Sequence, residues 1–185
     1  MTDMTIRDAQ VMRAMAHPAR IAILEYLGGG AEATATECAE VVGLSPSATS
    51  YHLRALARAG LIEDAPSRGD GRERVWRSAA RGYRIEPGLQ SDDDMHSASL
   101  ALAQAIITRD DEQTRRWFAR AESEPKEWFD AAGIVRRQLV MTSDELVHLF
   151  QAIDELMEQY SRPARPEPPP GARSVAAQFR ALPAD

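Results

Sequence analysis

Along most of this 185-residue chain, apolar side chains recur at the three- and four-residue spacing of helices that face a core. The first run, residues 6–27, is broken at His17-Pro18. Proline cannot continue a helix but suits the first turn of the next one, so two helices are predicted, the second with Ile21, Leu24 and Leu27 inward. Gly28-Gly29-Gly30 then stops it. No Lys-Ser or Lys-Thr follows and no strand precedes these glycines, so a phosphate loop is the weaker reading. Thr34 and Glu37 stand at capping-box spacing and start a helix reaching about Val42, closed by Gly43. Ser45 as cap and Pro46 at the first position open another helix, which Gly60 ends after Ala59. Two helices joined by a three-residue turn result.

The pattern then shortens. Leu61–Ala65 and Glu73–Ser78 have strand character and flank the Gly-containing stretch Pro66–Arg72, which predicts a β-hairpin. Ser91 before Asp92, Asp93 and Asp94 caps a long helix to Glu122, along which Met95, Ala98, Leu102, Ile106 and Trp117 keep one side mostly apolar. A shorter helix follows Pro125. Ile134–Met141 is strand-like. Thr142 and Glu145 repeat the capping box ahead of the strongest helical stripe in the chain: Leu146, Leu149, Phe150, Ile153, Leu156 and Tyr160. Residues 163–170 hold five of the 11 prolines and read as an extended linker. After it Val175, Ala177, Phe179 and Ala181 alternate as a short terminal strand would.

Composition narrows the class. With 44% hydrophobic residues the chain can bury a core, and no run approaches the roughly 18 uninterrupted apolar residues of a bilayer helix. Met1–Asp8 lacks the basic-then-apolar start of an export signal, and a single Cys cannot form an internal disulfide. A cytoplasmic protein without membrane partners is expected. The net charge of -6 is unevenly spread: residues 1–91 hold 11 Arg and 11 acids, whereas 92–185 hold 11 bases and 17 acids. Within 45–84, eight Arg face four acids, so a locally basic face can meet phosphate despite the acidic whole.

That basic region contains the candidate chemistry. On a helix from Ser45 to Ala59, Ser47, Ser50, Tyr51 and Arg54 fall on one side, and Thr49, Leu53 and Leu56 on the other. Hydroxyls, a Tyr and an Arg on the N-terminal half of such a helix suit a major groove, where Arg can bridge guanine acceptors. The hairpin adds Arg68, Arg72 and Arg74 beside Gly69 and Gly71, which let the backbone approach a sugar-phosphate rail. The predicted fold is mainly α with a small β component. It comprises a winged helix-turn-helix domain (residues 1–88), a mostly helical C-terminal domain with one or two short strands (89–161), and a Pro-rich linker with a terminal strand (162–185).

Three segments in order, Ala14-Met15-Ala16-His17-Pro18-Ala19-Arg20-Ile21-Ala22-Ile23-Leu24, Leu44–Leu56 and Ala59-Gly60-Leu61-Ile62, resemble the ArsR-type winged helix-turn-helix repressors over about residues 8–84. The resemblance implies a homodimeric transcriptional repressor that binds an imperfect palindrome and is released by a signal. It also implies Ser47, Ser50, Tyr51 and Arg54 as reading positions and the Gly69–Arg74 loop as wing; Ser45, the cap, is a DNA-contact candidate with them, as are Arg68, Arg72 and Arg74. Metal-sensing members carry paired cysteines before the recognition helix, where this chain has Glu37-Cys38-Ala39-Glu40. A second family site resembles Asp94-Met95-His96 with Asp110, but Ile107 stands where the later His would be. No metal and no cofactor are therefore expected, and Cys38 reads as a small core residue.

His52, beside Leu53 and Leu56, reads as a satisfied half-buried side chain, and His148 as a solvated one. Trp117, Phe118, Trp128 and Phe129 gather four of the 11 aromatics; they read first as packing of the second domain and second as a pocket for a small apolar effector. No nucleotide loop, triad or metal cluster follows residue 88, so a non-enzymatic regulator is expected. The alternatives are a winged-helix protein-protein adaptor and the dimerisation module of an enzyme without its own catalytic site.

Overall fold

The computed structural model describes residues 4–67, 73–80, 82–85, 93–161 and 164–184. The chain divides into two compact units, one ending at Pro125 and one beginning at Lys126. The first contains strand β1 (Met4–Ile6), helices α1 (Ala9–Met15) and α2 (Pro18–Gly28), strand β2 (Ala33–Thr34) and helices α3 (Ala35–Val42) and α4 (Pro46–Arg58). Strands β3 (Ile62–Ala65), β4 (Val75–Ser78) and β5 (Tyr83–Ile85) follow, then helix α5 (Asp93–Arg120) and a single 3-10 turn. Strands β2, β4 and β3 form an antiparallel sheet in which Ile62 lies opposite Ser78 and Ala33 opposite Trp76, while β1 pairs in parallel with β5.

The helix limits follow local chemistry. Asp8 caps α1 by accepting from the Gln10 and Val11 amides at 2.8 and 3.0 Å. Thr34 and Glu37 close the expected capping box on α3, and Ser45 accepts from the Ala48 amide at the start of α4. Gly43 and Gly60 take φ of +69° and +71°, a left-handed conformation that ends a helix at little cost only without a Cβ. α1 starts three residues later than the apolar pattern predicts because Met4–Ile6 is drawn into pairing with β5. The cap assigned to Ser91 lies outside the described residues.

One core holds this unit together. Met12 and Met15 of α1, Ile23, Leu24 and Leu27 of α2, Cys38 of α3, Leu53 and Leu56 of α4, Leu61, Ile62 and Trp76 of the hairpin and Ala98 and Leu102 of α5 are all buried in it. Polar ties fix α5 in place: Arg13 bonds the Asp94 carboxylate, the Ser99 hydroxyl donates to Met12 Sδ, and Arg109 donates twice to Glu25 Oε2 at 2.7 and 3.0 Å. The structure thus groups α5 with the helices before it and divides at Pro125, whereas the sequence pattern suggested a division near residue 88.

The second unit contains α6 (Lys126–Ala131), α7 (Ser143–Glu158) and irregular chain. Thr142 and Glu145 complete the capping box of α7 as expected. The two strands expected at Ile134–Met141 and Val175–Ala181 are not formed: both segments are irregular and mostly exposed. Alternation makes a strand only where another backbone offers its hydrogen bonds, and among the described residues none does. The tail instead meets helix aromatics one by one. Arg165 lies over the Tyr160 ring at 4.4 Å, Arg173 over Trp128 at 4.9 Å, and Phe179 edge-on to Phe150 at 5.1 Å.

Leu53 of α4 is fully buried in the core. Leu53→Ala should lower unfolding free energy by about 2–5 kcal/mol, read as a lower urea midpoint at unchanged slope. A midpoint equal to wild type would show that α4 is not anchored through this side chain.

Candidate nucleic-acid interface

Helix α4 turns one side into the core and leaves the other bare. Thr49, His52, Leu53 and Leu56 are buried, and the Thr49 hydroxyl donates to the Ser45 carbonyl at 3.0 Å, which satisfies its polar group inside the helix. Ser47, Tyr51 and Arg54 are exposed and Ser50 is half-buried, on the side assigned to them by helical angle. Ser45, the cap, also lies 3.2 Å from the Ser47 hydroxyl. Of the hairpin arginines, Arg68 and Arg72 lie outside the described residues. Arg74 is placed: its Nε is 3.0 Å from Asp64, and its guanidinium sits 5.1 Å from the centre of the Trp76 ring.

An open cleft joins these elements. It is lined by Thr34, Ala35 and Thr36 at the start of α3, Ser50 and Arg54 of α4, and Glu73, Arg74 and Trp76 of the hairpin. Thr36 and Trp76 were not among the residues singled out from the sequence. Helical angle reveals neighbours on one helix, but only the packing of hairpin against helix brings Trp76 beside Arg54. The arrangement offers hydroxyls and two guanidinium groups to one polyanionic ligand.

Beside α4 lies a cluster of two histidines and an arginine, in which His52 is buried and His17 exposed. The His17 and His52 rings lie 4.5 Å apart, and Tyr51 meets His52 edge-on at 5.6 Å. His17 caps α2 by accepting the Ala19 amide proton on Nδ1 at 3.2 Å. Arg20 donates from Nε to His52 Nδ1 at 3.4 Å and from Nη1 to the Ala14 carbonyl at 3.0 Å. Both imidazoles thus serve as acceptors, a role the protonated ring cannot fill. Burial holds both pKa values below the usual histidine range, helped by Arg20 and, for His52, by His17. His52 is therefore satisfied, as its sequence position suggested, and the partner that satisfies it is Arg20.

The remaining candidates fall elsewhere. Cys38 is fully buried, and burial raises its thiol pKa to about 11, so it is a weak nucleophile. Asp94 bonds Arg13, whose hydrogen bond holds its carboxyl below the usual range, and His96 is exposed. Among the described residues no group of three metal-ligating side chains converges. Trp117 and Phe118 belong to the first unit, where Arg120 lies over the Trp117 ring at 5.7 Å. Trp128 and Phe129 belong to the second, and both phenylalanines are exposed. His148 is exposed on α7.

Helix, tight turn, inward-anchored second helix and antiparallel hairpin define a winged helix-turn-helix protein. Comparison with known families agrees: residues 15–65, from the end of α1 through β3, match a family described as "Helix-turn-helix domain". The HTH-type transcriptional regulator YgaV of Escherichia coli (strain K12) is 44% identical over 55 residues, a stretch covering 30% of this chain and 56% of that protein. The chain therefore spans little more than half the length of this relative. Among solved structures, a mutant of Lactococcus lactis ZitR in its apo form aligns over 77% of this chain and 82% of that one, at 17% identity and a TM-score of 0.32.

The histidine pair sets a pH dependence. Because the folded pKa values are depressed, the unfolded chain binds protons first as pH falls, so the contribution is complete above about pH 6.5 and is lost below it. Urea midpoints should fall between pH 7.5 and 5. His52→Asn keeps an acceptor for Arg20 but does not titrate, and it should flatten this slope; an unchanged slope would exclude the pair.

Proposed function

We propose that this protein is a sequence-specific DNA-binding transcriptional regulator of the ArsR type, acting in the cytoplasm as a homodimeric repressor on an imperfect palindrome. The observation that carries the reading is the two-sidedness of α4: Thr49, His52, Leu53 and Leu56 are buried, while Ser47, Tyr51 and Arg54 are exposed and half-buried Ser50 lines a cleft with Arg54 and Arg74. A face so anchored can be laid into a major groove without disturbing the fold. Arg54 reads a base edge, Ser47, Ser50 and Tyr51 contact bases or phosphate, and Arg74, with Arg68 and Arg72 of the wing, follows the backbone. The likeness to a transcriptional regulator over 55 residues supports the same reading. No helix among the described residues is long and apolar enough to cross a membrane.

Homodimerisation completes the proposal. One recognition helix covers a half-site, and two copies about 34 Å apart are needed to reach successive major-groove turns. α5 supplies a suitable surface: Leu100, Ile107 and Phe118 are 55%, 44% and 62% exposed and follow one side of the helix at offsets of seven and eleven. An apolar effector would release DNA only by binding the unmatched dimer more tightly than the DNA-bound one. The adaptor reading differs in one measurable respect, since it has no need of salt-dependent duplex binding.

Genomic fragments retained by the pure protein identify the operator, and fluorescence anisotropy on it tests the residues. Arg54→Ala should weaken operator binding by about 1–3 kcal/mol, whereas Arg74→Ala should weaken all duplexes alike and reduce the salt slope by about one. Operator affinity unchanged in Arg54→Ala would refute the reading face. Light scattering at micromolar concentration should give a dimer, which Ile107→Asp dissociates. Stoichiometric zinc, cadmium or arsenite should leave the operator complex intact; release that disappears in His96→Ala or Cys38→Ser would establish a metal sensor instead.

A further inference from the structure

His52 lies on the buried side of α4, one residue after Tyr51, whose ring meets it edge-on at 5.6 Å. A titratable group in that place bears on both sides of the helix: its own ring is inside, and its neighbour is one of the residues assigned to contact DNA. From α2 it faces His17, whose ring lies 4.5 Å away, and Arg20, which donates from Nε to its Nδ1 at 3.4 Å. Arg20 also donates from Nη1 to the Ala14 carbonyl in the last turn of α1, so one guanidinium fastens α1 to α4. α3 and β3 pack against α4 as well, yet the charged groups that act on His52 among the described residues are His17 and Arg20.

This arrangement admits one protonation state. Nδ1 accepts only while the ring is neutral; a proton added there becomes a donor, and it faces a donor that is already a cation. The same holds for His17, whose Nδ1 accepts the Ala19 amide proton. No carboxylate acts on either ring, so a proton on His52 breaks the Arg20 bond and sets like charges side by side. The bond that is lost ties α4 to α1, and α1 is itself bonded to α5 through Arg13 with Asp94 and Met12 with Ser99. Leu53 and Leu56 remain in the core, so the change is one of helix position and not of fold.

We propose that operator binding is switched by this proton: the reading face is in place only while His52 is neutral and accepts from Arg20, so mild acidification releases operator DNA from a folded protein, with Arg20 as a positioning residue. The inference rests on the DNA-binding reading. Its sign is opposite to that of a histidine set directly against phosphate, whose protonation strengthens binding. A complex that takes only the neutral form weakens by the factor to which the free protein becomes protonated. For one histidine titrating below its ordinary value, that is about threefold and no more than about tenfold between pH 7.5 and 5.5.

Fluorescence anisotropy of the full chain on an operator fragment selected at pH 7.5, at fixed ionic strength, tests this. Affinity should fall by about three- to tenfold at pH 5.5 and return when the pH is restored, with far-UV circular dichroism unchanged throughout. His52→Asn, which keeps an acceptor and has nothing to titrate, should give the same affinity at both pH values, whereas His96→Asn, which removes an exposed histidine, should retain the wild-type fall. Affinity that is level or rises on acidification, a loss that tracks the circular dichroism, or a wild-type fall retained in His52→Asn overturns the proposal. The wild-type protein gives an answer that needs no variant: by reciprocity operator DNA should lower the apparent pKa of the His52 imidazole resonance in NMR titrations, and an unmoved pKa also overturns it. Absence of duplex binding at pH 7.5 would refute the DNA-binding reading itself, whereas binding indifferent to pH refutes the switch alone.

Discussion

Everything on the exposed side of α4 depends on what its buried side is doing. Leu53 and Leu56 are fully buried in the common core, and Thr49 turns its hydroxyl back onto the Ser45 carbonyl. Burying two leucine side chains contributes about 3–6 kcal/mol to the docking of this helix. A helix docked that firmly has no rotational freedom left, so Ser47, Tyr51 and Arg54 face solvent as a consequence of packing and need no interactions of their own to hold them there.

The polar cluster behind the same helix adds direction to that docking. Arg20 spans from the Ala14 carbonyl to His52, and His17 caps α2 while its ring meets His52 at a tilt of 44°. Hydrogen bonds of this kind are directional where apolar contacts are not, and they tie the start of α2 to the middle of α4. The cluster needs neutral imidazoles, so the placement of the outward face is linked to the protonation state of the inward one.

The long helix α5 is coupled to this unit by both kinds of contact. Ala98 and Leu102 enter the common core, and Arg109 bonds Glu25 of α2. A partner that grips the outer face of α5 therefore acts on a helix already fastened to α1 and α2. The second unit is built by another principle. Its aromatics Tyr160, Trp128 and Phe150 meet tail residues singly, through Arg165, Arg173 and Phe179, and none of its described residues is buried.

Helix limits and the sidedness of α4 were legible in the sequence because they depend on neighbours three or four residues apart. Thr34 with Glu37, Thr142 with Glu145, Ser45-Pro46, Gly43 and Gly60 act through local backbone geometry, and the structure places each where its chemistry directs. Strands were harder to read, since a strand exists only by pairing: Met4–Ile6 and Tyr83–Ile85 carry little pattern yet pair, while Ile134–Met141 carries a strong one and does not. The same distinction applies to the site. Ser47, Ser50, Tyr51 and Arg54 share a helix and could be grouped by angle alone. Trp76 beside Arg54, Arg74 held by Asp64, and Arg20 reaching His52 across 32 positions of sequence are products of long-range packing, which no local period encodes.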